Sequence, residues 1–302
     1  MTAQQSLATS VSPDAGEVTP GTRPWRDALA VLIANRAALA GLIVIVVMLG
    51  FSFLGPLFYH TNQVATDLPA SLRPPGGGHP LGTDNEGHDV LGRLMVAGQS
   101  SLEVGLAAAA VATIIGVCYG AISGFAGGIL DGIMMRLVDG LLAIPTIFLL
   151  VFLFTVYQAS TLLLVLVIGL VAWLVPARLV RAETLSLRTR EYVQAVRVMG
   201  GSGRRMVALH IVPNTIGTIM VNATFQVADA ILALASLGFL GLGVQPPATN
   251  WGAMLSTGIN YVYANDWWLI YPPGIAIVLT VMAFNAVGDG MRDVFEVRLR
   301  RR

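Results

Sequence analysis

The side chains able to do chemistry are few and scattered. Every one of the 18 basic residues is an arginine, so no lysine can cradle a nucleotide phosphate, form a Schiff base or act as a general base. The single cysteine, Cys118, stands in an apolar run and can join neither an intrachain disulfide nor a cysteine metal cluster. His60, His79, His88 and His210 lack the spacing of metal ligands. Asp84, Glu86 and Asp89 lie close together, but without the EF-hand spacing and its closing glutamate, and Gly, Pro and Asp at that density make turns. No convergent nucleophile, acid–base pair or metal set is visible, so no catalytic residue and no metal ligand is assigned. What remains are polar groups inside apolar segments. Asn222, Gln226 and Asp229 recur at i, i+4 and i+7, one stripe of a helix, and Asn285 and Asp289 are at i and i+4. Inside a membrane such groups either line a path or hydrogen-bond helix to helix, and the sequence leaves both open. Asp289 goes with the second reading, as a cap or partner near Arg292.

The elements that position these groups are membrane helices. The chain is 302 residues long with only 12% charged residues, half the share of a soluble domain, and its mean hydropathy is +0.72. That argues against a water-soluble enzyme, and a net charge of +1 argues against nucleic acid as a partner. A bilayer core needs about 20 apolar helical residues. Charge-free runs predict spans at 37–58, between Glu103 and Asp131, from Pro213–Asn214 to Leu237, and between Asp266 and Asp289. The run from Gly140 to Ala177 would make one helix of about 57 Å, so it must fold back, and Tyr157–Ser160 is the expected turn. The fold class is therefore an all-α membrane protein with six transmembrane helices. Placing both termini in the cytoplasm leaves only Arg73 and Arg93 outside, as the positive-inside rule demands.

The expected organisation is a disordered cytoplasmic tail at 1–24, an N-terminal segment with the first span at 25–58 and an external loop at 59–97. A transmembrane core follows at 98–290, with a cytoplasmic loop at 178–212, and a basic tail closes the chain at 291–302. The tail at 1–24 has no apolar core and is not a signal peptide. Inside the loop, Tyr192, Val196 and Met199 share one face of a short helix that Gly200-Gly201 ends. That apolar face lies on the membrane surface or docks into another protein's groove. Ser236–Pro247, with Gly238, Gly241 and Gly243, predicts an irregular outer segment. Trp251, Tyr261, Tyr263, Trp267 and Trp268 read as an aromatic belt at the outer interface. Gly120, Gly124, Gly127 and Gly128 read as close helix contacts.

The segment Gln194–Pro213 resembles the cytoplasmic EAA loop of ABC importer permeases, with Gly200 as the loop glycine and His210-Ile211-Val212-Pro213 closing it after a gap of nine residues. Other segments look like the C-type permease subunit of dipeptide, oligopeptide and nickel importers. These are His79–Asp84, Asp131–Arg136 with Asp139, Phe239–Gly243 with Trp251-Gly252, and Phe284-Asn285 with Gly288–Asp293. In this chain Gln194 replaces the motif's Glu and Val196 its second Ala, His88 stands where Arg is usual, and Leu234 where many relatives have Glu. The resemblance implies the type I ABC importer permease fold in a bacterial plasma membrane. It implies an ATPase-docking loop carried by Glu191, Gln194, Ala195, Arg197, Gly200, Ser202, Arg204 and Arg205. It also implies partners: a homologous permease subunit, two ATP-binding subunits holding ATP and Mg, and an extracytoplasmic peptide-binding protein. No cofactor is expected in this chain. A peptide cargo is favoured over nickel because no His or Cys cluster lines the spans. An autonomous channel or secondary transporter is the competing class, against which stand the lack of an internal repeat and of a midplane ion pair.

Overall fold

The computed structural model describes residues 35–300, with side chains described to Val294. The expected tail at 1–24, with Arg23, and the start of the next segment, with Arg26, lie outside the described residues. Helix α1 (Arg36–Phe58) is opened by Asn35, whose side chain accepts from the amides of Ala37 and Ala38. The chain continues through α2 (Val90–Ala126), α3 (Gly128–Leu142), α4 (Thr146–Val156), α5 (Thr161–Ala172) and α6 (Leu174–Leu187). After these come α7 (Glu191–Val198), α8 (Gly203–Phe239), α9 (Trp251–Ile259) and α10 (Tyr271–Arg300). Four of them, α1, α2, α8 and a stretch at 267–294 that includes most of α10, are long and apolar enough to cross a membrane. The pairs α3/α4 and α5/α6 pass the same test together but are bent by 75° and 43°. Counting each pair as one span gives up to six. The expected turn at Tyr157–Ser160 separates the two pairs, and Ser160 caps α5 by accepting from the Leu163 amide.

Helix α2 is the central rod, because its side chains enter all three cores. Leu94 and Leu102 pack with Met48, Ile231, Trp251 and Phe284. Val104 and Ala108 meet Leu150, Phe154, Leu164 and Leu234, while Ala112 meets Val138, Trp173 and Ala177. Small residues allow α6 to approach closely: a Cβ on Gly120 would fall 2.3 Å from the Ala177 carbonyl oxygen. Around these cores the surface is apolar, with Val46, Ile114, Phe152, Leu162 and Met282 all exposed, which suits hydrocarbon rather than water.

Prolines shape the helices through the carbonyls they release, since proline has no N–H for residue i−4. Pro56 frees the Ser52 carbonyl, and Gln99 Nε2 donates to it at 2.8 Å; a π-turn at Gly50–Leu54 precedes it. Pro176 frees the Ala172 carbonyl at the α5/α6 bend, and Gln226 Nε2 donates there at 2.8 Å. A second π-turn, Val207–Ile211, precedes Pro213.

Several expectations are corrected. Asp89 caps α2 by accepting from the Gly92 amide, so the helix begins at Val90 and residues 90–97 of the expected loop are helical. Nothing stops α10 at Asp289, and residues 291–300 of the expected tail continue the helix. Gly127 and Gly128 have positive φ (65° and 58°) and form the break between α2 and α3, unlike Gly120 and Gly124, which are packing contacts. Gly238 stays helical and buried, the irregular segment starting only at Leu240. The expected aromatic belt divides. Trp251 and Trp268 are buried, with indole N–H groups donating to the Leu94 and Thr83 carbonyls at 3.1 and 3.2 Å, while Tyr263 and Trp267 are exposed. A buried indole must find an acceptor, and the two carbonyls supply it.

Candidate functional site

The loop at 178–212 sits where α2, α3, α6 and α8 converge, and charged side chains fix it there. Arg181 makes a two-point contact with Asp131, Nε to Oδ1 at 2.5 Å and Nη2 to Oδ2 at 2.6 Å, and Ser123 Oγ donates to the same carboxylate. Arg178 pairs with Asp139, and Thr218 donates to Glu183. Arg188 Nη1 donates to the Gly124 carbonyl at 2.9 Å, capping the last turn of α2. Asp131, Asp139, Arg178, Arg181 and Arg188 were not among the expected site residues. The signal that could have found them is that carboxylates beside apolar runs require cationic partners.

On this base stands α7. Val193 points inward and is buried, while Tyr192, Ala195, Val198 and Met199 face out, Val198 at 87% exposure and Met199 at 78%. Of the expected apolar face of Tyr192, Val196 and Met199, Val196 is corrected: it turns in with Val193, and the outward face is largely apolar and uncovered. Gly200 closes the helix at φ +82°, its amide bonding the Arg197 carbonyl and the Gly201 amide the Val196 carbonyl at 2.9 Å. These two bonds make a Schellman cap, which needs the left-handed conformation that glycine adopts freely. A Cβ on Gly200 would meet nothing within 4 Å. Gln194 Nε2 donates to the Arg188 carbonyl at 2.8 Å, turning this side chain back into the loop. Arg197 lies over the Phe125 ring, 5.9 Å from its centroid, a cation–π contact with the end of α2. Ser202 accepts from the Arg205 amide, and Glu191, Arg204 and Arg205 are exposed. All eight expected loop residues thus fall in one patch, with Gln194 and Arg197 engaged inside the chain.

The polar stripe of α8 separates on inspection. Gln226, a candidate for the path, is buried and donates to the Ala172 carbonyl, the helix-to-helix bond that was the other reading left open for it. Asp229, one turn on along the same stripe, is exposed, and Asn222, two turns before Asp229, has a buried Oδ1 with no partner among the described residues. Asn285 is partly exposed on α10, one turn from Gly288, which packs against Thr224 and Phe225.

The far end carries the loop between α1 and α2. Asp84 accepts from the amides of Glu86 and His88, and Asp89 from Gly92, so two of the three acidic groups in this loop serve its amides. Tyr59 donates to Asp89 at 2.9 Å, and His79 Nδ1 lies 2.9 Å from the same oxygen. Burial together with the adjacent Asp89 carboxylate pushes the Tyr59 phenol up to about 12, so it remains a donor. A cavity of about 300 Å³ opens between Asp84–Arg93 and the segment from Gly238 to Thr257.

Comparison with known proteins gives this architecture a family. Residues 116–301 match the family described as binding-protein-dependent transport system inner membrane component. Residues 23–75 match the N-terminal TM domain of oligopeptide transport permease C. The oligopeptide transport system permease protein OppC of Bacillus subtilis (strain 168) is 38% identical over 277 residues, covering 92% of this chain and 90% of the relative. OppC of Escherichia coli (strain K12) is 41% identical over 282 residues, 93% of each. The dipeptide transport system permease protein DppC of Bacillus subtilis (strain 168) is 34% identical over 282 residues, 93% of this chain and 88% of the relative. With the apolar exterior and the bent and straight spans, these matches fix the assignment: the chain belongs to the family of inner membrane components of binding-protein-dependent transport systems.

Proposed function

We propose that the chain is one of two homologous membrane subunits of an ATP-driven importer of oligopeptides or dipeptides, with six spans and both termini cytoplasmic. The arginine placement supports that orientation, and the relatives named for oligopeptide and dipeptide transport support the cargo. ATP and Mg belong to two partner ATPase subunits, and a peptide-binding protein delivers solute at the opposite face. The expected division of the chain into tail, loop, core and coupling loop is kept with the helical boundaries given above.

The observation that carries the reading is α7. Its outward face of Tyr192, Ala195, Val198 and Met199 lies on a loop locked to α2 and α3 by Arg188 and Arg181. An apolar face on a rigid base suits docking into a groove of another protein. Glu191, Arg204 and Arg205 frame the contact, and Gln194, Arg197 and Ser202 hold its shape. Gly200 is the sharpest test. Its Cβ direction is open within this chain, so a bulky side chain there, beyond the backbone strain that alanine shares at this positive φ, collides only with a partner. Gly200→Trp leaves membrane insertion intact and weakens ATPase recovery about 5- to 150-fold, the effect of a misfit of roughly 1–3 kcal/mol. Equal recovery of the ATPase by wild type and variant, with normal uptake, overturns the docking role. For the path the candidates are Asn222, Asp229 and Asn285, with Gln226 bracing the wall behind them.

A further inference from the structure

We infer that the Asp229 carboxylate binds the protonated amino terminus of the peptide in transit. The inference rests on the peptide-importer reading above and gives its path a chemical selectivity. Asp229 lies ten residues before Phe239, the last residue of α8, a rise of about 15 Å and half of a hydrocarbon core of roughly 30 Å. It is exposed at that depth. A carboxylate cannot rest against lipid tails there, so its face of α8 meets water or protein.

The face itself favours a wet path. Asn222, Asp229 and Ser236 follow one another at intervals of two helical turns, on the side turned away from the core residues Val227, Ile231 and Leu234; Asp229 and Ser236 are exposed, and the Asn222 Oδ1 is buried without a partner among the described residues. Gln226, the other polar group of the stripe, is turned inward and satisfied. Glu103 is also exposed, but towards the C-terminal end its face of α2 continues as Leu106, Ala110 and Ile114, all apolar.

Charge decides what the carboxylate takes. At the loop end Asp131 is matched with Arg181 and Asp139 with Arg178. Asp229 has no cationic partner among the described residues, and no Arg or Lys occurs between Arg205 and Arg292. The complementary charge comes from outside this chain. Every unblocked peptide carries one at its amino terminus, and in a site shielded from bulk water an ammonium–carboxylate hydrogen bond is strong enough to matter. Several such weak stations along a path speed passage, whereas one tight site would trap the cargo.

The test uses the complete transporter in proteoliposomes, with tri-alanine as the probe. Asp229→Asn is expected to lower tri-alanine uptake about tenfold, Asp229→Glu to restore it to within about twofold of wild type, and both to copurify the homologous subunit in full yield. Three results overturn the inference. Unchanged uptake by Asp229→Asn places the carboxylate off the path. Loss of the homologous subunit from Asp229→Asn assigns the charge to an ion pair across that interface. Glu performing no better than Asn makes side-chain shape, not charge, the requirement. Failure of the wild-type transporter to move tri-alanine is a separate outcome, visible in the control, and overturns the cargo reading along with the inference.

Discussion

At the arginine end of the bundle the helices are tied by ions: Arg181 to Asp131, Arg178 to Asp139, Arg188 to the carbonyls that end α2. At the tryptophan end they are tied by buried indoles and caps: Trp251 to the Leu94 carbonyl, Trp268 to that of Thr83, Asp89 to the first turn of α2. The difference follows from surroundings. The arginine end leaves Arg181 and Arg178 partly exposed, so the ions keep some hydration and lose less on pairing. The tryptophan end encloses Trp251 completely, and there large apolar area with one satisfied N–H is the cheaper fastening. One end is therefore adjustable by charge, and the other is set by shape.

The sharpest break in that contrast is Trp251→Ala. It empties the most enclosed site in the tryptophan end and is expected to cost about 3–5 kcal/mol, read as a lower unfolding midpoint in detergent. Trp251→Phe keeps most of the packing and loses the donor. A Phe variant as unstable as the Ala variant would show that the bond, not the volume, holds this end. Next comes Asp131→Ala, expected to cost about 3 kcal/mol because Arg181 loses its counter-ion. A double-mutant cycle with Arg181→Ala should give a clear coupling energy, and additivity of the two changes would dissolve the pair as a fastening. Gly200→Ala tests the loop without a bulky group. Left-handed backbone costs a non-glycine residue roughly 1–2 kcal/mol, so amide exchange across Gln194–Gly201 should quicken while the spans stay protected; unchanged exchange removes the strain argument. Smallest is Gln194→Glu, which installs the residue common in related loops. A carboxylate cannot donate to the Arg188 carbonyl, and a loss of about 1 kcal/mol confined to the loop is expected. A stabilised loop would mean that the Gln194 contact contributes nothing.

Much of this was readable from the residues. The charge-free run from Gly140 to Ala177 was too long for one span, and it turns at Tyr157–Ser160 as its polarity suggested. The helix before Gly200 and its glycine cap followed from periodicity and punctuation. What the sequence hid was direction and pairing. Tyr192, Val193 and Val196 are all apolar, and which of them turns inward depends on where α2 ends, something periodicity in an eight-residue helix cannot fix. Gln226 and Asp229 lie on adjoining turns, yet one faces the wall and the other faces out. Only the proline at 176, by releasing the Ala172 carbonyl, claims the glutamine. Likewise the partners Asp131 and Arg181 are fifty residues apart, and nothing local announces that two helices bring them together.

The length of α2 has a mechanical consequence. Its 37 residues make a strut about 56 Å long, clasped near Gly124 by Arg188 of the loop at 178–212 and at Val90 by the cap that Tyr59 and His79 brace. Helices are stiff along their axes, so a displacement at one clasp arrives at the other almost undiminished. Thermal agitation of a slack linkage would blur such a stroke; a strut gripped at both ends transmits it. On the importer reading proposed above, a nudge delivered to α7 is thereby a nudge to the loop around Asp84–Arg93, and the two ends of the bundle share one clock.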